Sequence, residues 1–111
     1  YKIGKEGLEE FKGNKFAIGG GIYKNQTEFT NYKFSVEPGD AIYFSSDGYP
    51  DQFGGPDGNR KLSPARVKDL IVQNKDNADM EDQLVQFDAL FENWKGHEKQ
   101  IDDVLLIGVK F

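Results

Sequence analysis

Met80, Leu84, Phe87, Phe91 and Trp94 step along the chain by 4, 3, 4 and 3. Only an α-helix, with about 3.6 residues per turn, gathers such positions into one stripe. The chain must therefore supply an apolar surface for that stripe to lie on. Asn77 or Asp79 can start this helix, and Gly96 ends it where a left-handed glycine commonly closes a helix. A shorter helix precedes it. Ser63 is its expected cap, Pro64 takes the first position, where a missing N–H costs nothing, and Val67, Leu70 and Ile71 form its apolar face.

The rest of the sequence has the signature of strands. Residues 1–3 and 8–11 flank Gly4-Lys5-Glu6-Gly7, a hairpin turned by glycine. "FAIGGGIY" (16–23) predicts a bend or a close backbone approach. Tyr32, Phe34 and Val36 alternate, which predicts a half-buried strand over 29–36. Glu37-Pro38-Gly39-Asp40 is a tight turn, and the next strand runs from Ala41 to Ser45 or Ser46. Residues 54–62 read as a polar loop. "VLLIGVKF" (104–111) opens with four apolar residues, which suits a strand covered on both faces. The expected fold is α+β, an antiparallel sheet with two helices on one face, in a single domain over 1–111 without repeats or an internal boundary.

Composition narrows the function. Nine Phe, five Tyr and one Trp give large side chains for a core. A net charge of −5, without any Lys/Arg run, argues against nucleic acid or an anionic membrane surface as partner. No apolar run approaches the ~20 residues of a membrane span. The absence of cysteine removes disulfides, thiolate metal sites and cysteine nucleophiles, and fits a reducing, cytoplasmic setting. The one histidine, His97, sits among charges after the second helix and reads as a surface residue rather than a general base. The chain opens "YKIGKEG", without a Met, inside what reads as a strand, which suggests a piece of something longer.

The remaining chemistry is carboxylate chemistry. Asp47 lies just past the end of the strand from Ala41, and Asp102-Asp103 lies just before the last strand, 55 positions on from Asp47. If the two strands are antiparallel neighbours, these acids project from one rim of the sheet. Acids gathered there without a neutralising Lys or Arg repel one another, and a divalent cation relieves that repulsion. Oxygen donors without His or Cys select a hard ion, Mg²⁺ or Mn²⁺. Asp-Gly is equally a common turn dipeptide, and Asp-Asp before a strand is commonly a solvated loop. On the residues alone both readings stand.

The order of the motifs adds to this. Gly39-Asp40, Ser46-Asp47-Gly48, Asp51-Gln52-Phe53-Gly54-Gly55, Trp94-Lys95-Gly96 and Gln100-Ile101-Asp102-Asp103 follow one another around a helical insert. "FKGNKFAIGGG" precedes them, with Ala17 where Pro is common. This order resembles the C-terminal part of a SpoIIE-like, metal-dependent serine/threonine phosphatase domain of the protein phosphatase 2C-like (PPM) superfamily. The resemblance covers nearly the whole chain.

The resemblance implies about half of a sandwich in which two antiparallel sheets lie between helical layers, with a binuclear Mn²⁺ or Mg²⁺ centre at one end. It implies that Asp47 and Asp102 are metal ligands and that Asp103, in the variable second place of its motif, stands beside the metal without ligating it. Asp40 lies at the other end of its strand, roughly 20 Å from Asp47, and is structural. The implied reaction is hydrolysis of a phosphoserine or phosphothreonine ester by in-line attack of a metal-activated water, with no protein nucleophile. The implied partners are a phosphoprotein regulator, such as one of the anti-anti-sigma type in bacterial signalling, and upstream sensor domains.

The family's early acid-Gly motifs are absent from these 111 residues. The expectation is therefore a phosphatase fragment, inactive by itself. Half a sandwich exposes apolar surface, which leads to the expectation of a homodimer or an exchange of elements between copies. Two other readings stay open: a small α+β protein-interaction module in which Asp47 and Asp102 only shape turns, and a degenerate phosphatase-like domain used for signalling contacts.

Overall fold

The computed structural model describes residues 1–16, 18–19 and 28–111. Strands β1 (Lys2–Gly4) and β2 (Gly7–Glu9) form the expected hairpin. The Glu37–Asp40 turn then leads into β3 (Ala41–Ser45). A two-stranded hairpin of β4 (Phe53–Gly54) and β5 (Arg60–Lys61) follows, then helices α1 (Pro64–Gln73) and α2 (Met80–Lys95), and finally β6 (Leu106–Lys110). The main sheet has the order β2-β1-β3-β6 and is antiparallel throughout. This is the expected α+β fold, with the two helices against one face of the sheet.

That face is built by strand alternation. Ile3, Ala41 and Tyr43 point toward the helices and are buried with Val67 and Ile71 of α1 and Phe87 and Phe91 of α2. Each of the Ile, Val and Phe side chains contributes about 1.5–3 kcal/mol by leaving water. The Glu37–Asp40 turn is fixed by Gly39 at φ 95° and by the Asp40 N–H donating to the Glu37 carbonyl at 3.0 Å. Asp40 is buried at this turn, away from Asp47. Its carboxylate accepts from the Glu37 N–H at 2.9 Å and lies 3.5 Å from Lys2 Nζ.

Several local expectations change. Residues 29–36 are not assigned to a strand, and among the described residues they meet the segment 11–14 through the side chains of Asn14 and Phe11. Asn14 exchanges two bonds with Thr30, and Phe11 packs on Phe34 at 4.6 Å and on Tyr32 at 5.4 Å. Residues 54–62 are not wholly loop. Phe53 pairs with Lys61 and Gly54 with Arg60, across a turn in which Gly58 N–H donates to the Gly55 carbonyl. Ser63 stands at the start of α1 but its side chain makes no capping bond. Its φ is 80°, held by its N–H donating to the Pro50 carbonyl at 2.8 Å. The glycine bend expected over 16–23 lies largely outside the described residues.

In α2 the cap is Asp79, whose carboxylate accepts from the Glu81 and Asp82 N–H groups. The apolar stripe is redrawn at one place. Leu84 is 68% exposed, whereas Gln83 is 1% exposed. The buried Tyr43 hydroxyl explains the exchange, since it donates to Gln83 Oε1 at 2.5 Å while Gln83 Nε2 donates to the Asn77 carbonyl at 2.7 Å.

Among the described residues β6 is covered on one face and not two. Both helices lie on the Leu106 and Gly108 side, and on the other face Phe44, Ile107 and Val109 are 57%, 45% and 40% exposed.

Candidate functional site

β3 and β6 are antiparallel neighbours with Ser45 opposite Leu106. The end of β3 therefore meets the start of β6, and the chain on either side of that meeting carries Asp47 and Asp102. Ser46 fastens the two. Its N–H donates to the Leu105 carbonyl at 2.9 Å, its hydroxyl donates to the Asp103 carbonyl at 3.1 Å, and the Leu105 N–H donates to that hydroxyl at 3.0 Å. Nothing in the sequence alone gives Ser46 a role in the site. A hydroxyl at a strand end, opposite the start of another strand, is the signal that could have exposed it.

The Asp47-Gly48 turn is seated against the same segment. A Cβ built on Gly48 would collide with the Asp103 carbonyl oxygen and stand 3.2 Å from Asp102 Cβ. Glycine is needed here because another backbone occupies the space of a side chain. The Asp51 N–H donates to the Asp47 carbonyl at 3.0 Å and closes the turn. Tyr49 anchors it in the core, where its ring packs on Phe91 at 5.4 Å and its hydroxyl donates to the Phe87 carbonyl at 2.5 Å. Burial, with Asp88 nearby, pushes the Tyr49 phenol well above its ordinary range, so it remains a neutral donor.

Gln52 is buried just beyond. Its Nε2 donates to the Phe53 and Lys99 carbonyls, both at 2.9 Å. The second of these bonds draws the segment leading to Asp102 toward the Asp47 loop. Gly55 completes the frame, with its N–H donating to the Trp94 carbonyl at 2.9 Å and its α-carbon against the indole. Trp94 Nε1 donates to the Arg60 carbonyl at 3.0 Å, so α2 also grips the β4–β5 hairpin.

Asp47, Asp102 and Asp103 are all exposed. Among the described residues neither Asp47 nor Asp102 takes part in an ion pair. Their oxygen donors suit a hard divalent cation, but among the described residues no group of three or more acidic, His or Cys side chains is placed to hold a metal. Two carboxylates can contribute to such a centre without completing one. Asp51, for which the sequence suggested no chemistry, pairs with Lys61 at 3.1 Å. His97 is exposed beyond α2.

No protein-family model matches the chain, and no curated protein matches it significantly. Among solved structures it is similar to the SiaA-PP2C domain of Pseudomonas aeruginosa, with a TM-score of 0.69 and 26% sequence identity over 77% of this chain and 34% of that one. The chain thus spans about a third of that neighbour, and its sheet and helices have a PP2C-like fold corresponding to part of such a domain.

Proposed function

We propose that this chain is part of a metal-dependent phosphoprotein phosphatase of SpoIIE-like type, to whose Mn²⁺ or Mg²⁺ centre Asp47 and Asp102 contribute carboxylates. The observation that carries the reading is the seating of the Asp47-Gly48 turn on Asp102-Asp103, in a fold similar to a PP2C domain. When bound, the ions would supply an acidified water and neutralise charge on the phosphoryl oxygens. The chain's own residues do the positioning. Ser46 locks the two loops together, Tyr49 ties them to the core, Gln52 joins the Asp47 loop to the segment leading to Asp102, and Asp103 contributes its carbonyl to the lock; its carboxylate would stand beside the ions.

The substrate class is a phosphoserine or phosphothreonine ester on a signalling regulator, of the anti-anti-sigma type in the bacterial systems that the motifs resemble. Upstream sensor domains would supply the input. Among the described residues no helix is long and apolar enough to cross a membrane, and a cytoplasmic site of action fits this reading. With only two candidate carboxylates in place, the 111-residue chain alone is expected to be inactive.

The test is a Mn²⁺ titration by calorimetry, together with hydrolysis of an aryl phosphate. Weak Mn²⁺ binding that is lost in Asp47→Asn and in Asp102→Asn, without turnover, supports the reading. Binding unchanged in both variants removes the two residues from the centre and favours the non-catalytic interaction module. Mn²⁺-dependent turnover by the chain itself overturns its inactivity.

A further inference from the structure

A cleft of about 210 Å³ opens beside the candidate metal site, between the β4–β5 hairpin and the segment leading to β6. Gly48, Ile101 and Asp102 form one side, and Asp51, Phe53 and Lys61 the other. Among the described residues that line it, Lys61 is the only cation. We propose that this cleft receives the phosphomonoester dianion of the substrate, with the Lys61 ammonium as its fixed positive charge. The inference rests on the metal-site reading above and names the group that holds the far side of the phosphoryl.

The geometry favours Lys61 in that role. Phe53 and Lys61 are cross-strand partners, so their side chains leave the hairpin on the same side. Lys61 Nζ lies 6.0 Å from the centre of the Phe53 ring and 3.1 Å from Asp51 Oδ1. Asp51 thereby holds the ammonium at the cleft. Lys61 is exposed and Asp51 partly so, and pairs near the surface are worth only about 0–1 kcal/mol. A dianion delivers twice the charge of Asp51 and can take the ammonium over. The hairpin itself is rigidly placed by Trp94, so the ammonium starts close to its working position.

The flanks suit a phosphorylated side chain rather than free phosphate alone. Phe53 and Ile101 are exposed apolar groups on either side of the charged site. They can cover the carbon atoms next to a phosphoester oxygen. Asp102 on the near wall would repel a dianion by itself. The Lys61 ammonium is therefore the group that draws a phosphoryl in, and divalent charge on the carboxylate rim would tighten its hold.

The test is an NMR titration of the 111-residue chain with inorganic phosphate and, separately, phosphoserine, with and without Mg²⁺. Saturable shifts of the Phe53, Lys61 and Asp102 amides are expected. In Lys61→Met they should weaken about tenfold, the size of one charge-assisted hydrogen bond. Lys61→Arg should retain them, and Asp51→Asn, which frees the ammonium, should strengthen them. The Gly54 and Arg60 amides report that the hairpin stays formed in each variant. Shifts that are absent, or equal in wild type and Lys61→Met with the hairpin intact, overturn the proposal whatever Mg²⁺ does. Mg²⁺ shifts at Asp47 and Asp102 test the metal site separately. Their loss with Lys61-dependent phosphate shifts retained would sink the metal reading and leave this one standing.

Discussion

Gly48 lies on the main-chain carbonyl of Asp103 so closely that no side chain fits between them. Two loops 55 positions apart thus share one contact surface, and the aspartates preceding these two residues are held at one rim. Gly48→Ala must push the backbones apart. Overpacking of this kind costs about 1–3 kcal/mol, read as a lower denaturant midpoint at unchanged slope. On the metal-site reading the variant should also bind Mn²⁺ more weakly than Leu84→Ala, a change at an exposed helix position that touches neither loop. Equal Mn²⁺ affinity in the two variants would separate the packing contact from the metal site.

Gln83 and Leu84 give a second, less intuitive expectation. Leu84 continues the apolar stripe of α2 but is exposed, so Leu84→Ala should change stability by less than about 0.5 kcal/mol. Gln83→Leu makes the helix more apolar and nevertheless removes the acceptor of the buried Tyr43 hydroxyl. It should cost about 1–3 kcal/mol, the penalty for an orphaned buried polar group. The double variant Tyr43→Phe with Gln83→Leu should recover much of that loss. Urea unfolding of the single and double variants measures the coupling, and strict additivity would refute it.

These positions also show what could be read in advance. The β1–β2 hairpin, β3 and α2 were legible because glycine and proline punctuation and apolar periodicity are local signals. That Asp47 and Asp102 share a rim followed from a single assumption, antiparallel neighbours, which the β3–β6 register satisfies. Gln83 was not legible, because a stripe counts apolarity while its burial is set by the hydroxyl of a residue 40 positions away. The β4–β5 hairpin has two residues per strand, too few to show alternation, so the meeting of Phe53, Lys61 and Asp102 stayed hidden. Residues 29–36 alternate as a strand does, but alternation does not supply a ladder partner. Ser46 belongs to the Ser46-Asp47-Gly48 motif, but its bonds to Asp103 and Leu105 are set by the tertiary structure.

Asp40 sets part of the acid sensitivity. The Glu37 N–H, and then the Lys2 ammonium, hold its carboxyl below the ordinary value of 3.8. A carboxyl depressed in the folded state binds protons more readily when unfolded. Its contribution is therefore fully present above the ordinary value and is lost as pH falls toward the folded one. Glu10, held low by Lys68 at 2.6 Å, acts with the same sign. In Asp40→Asn the folding free energy should fall less steeply below pH ~4 than in the wild type, with the Glu10 share remaining. Chemical denaturation at a series of pH values checks this, and an unchanged acid limb would exclude Asp40 as a contributor.

The open face of the sheet leads to a prediction about association. Phe44, Ile107 and Val109 present an apolar surface away from the helices, and among the described residues β6 is the last strand of its sheet. The Leu105 carbonyl and the Phe111 N–H are spent on the β3 side, so by antiparallel alternation the main-chain groups of Leu106, Gly108 and Lys110 point outward. Lys110 is the one charge on this strand, and its ammonium is drawn to the Lys75 carbonyl at 2.9 Å instead of guarding the edge. An unguarded edge beside an apolar face favours pairing with a second copy. The 111-residue chain should show a sedimentation coefficient that rises with concentration. The double variant Phe44→Lys with Ile107→Lys should remain monomeric over the same range, with little loss of stability because both sites are exposed. A clean monomer at high concentration in the wild type would show that this surface does not join two copies.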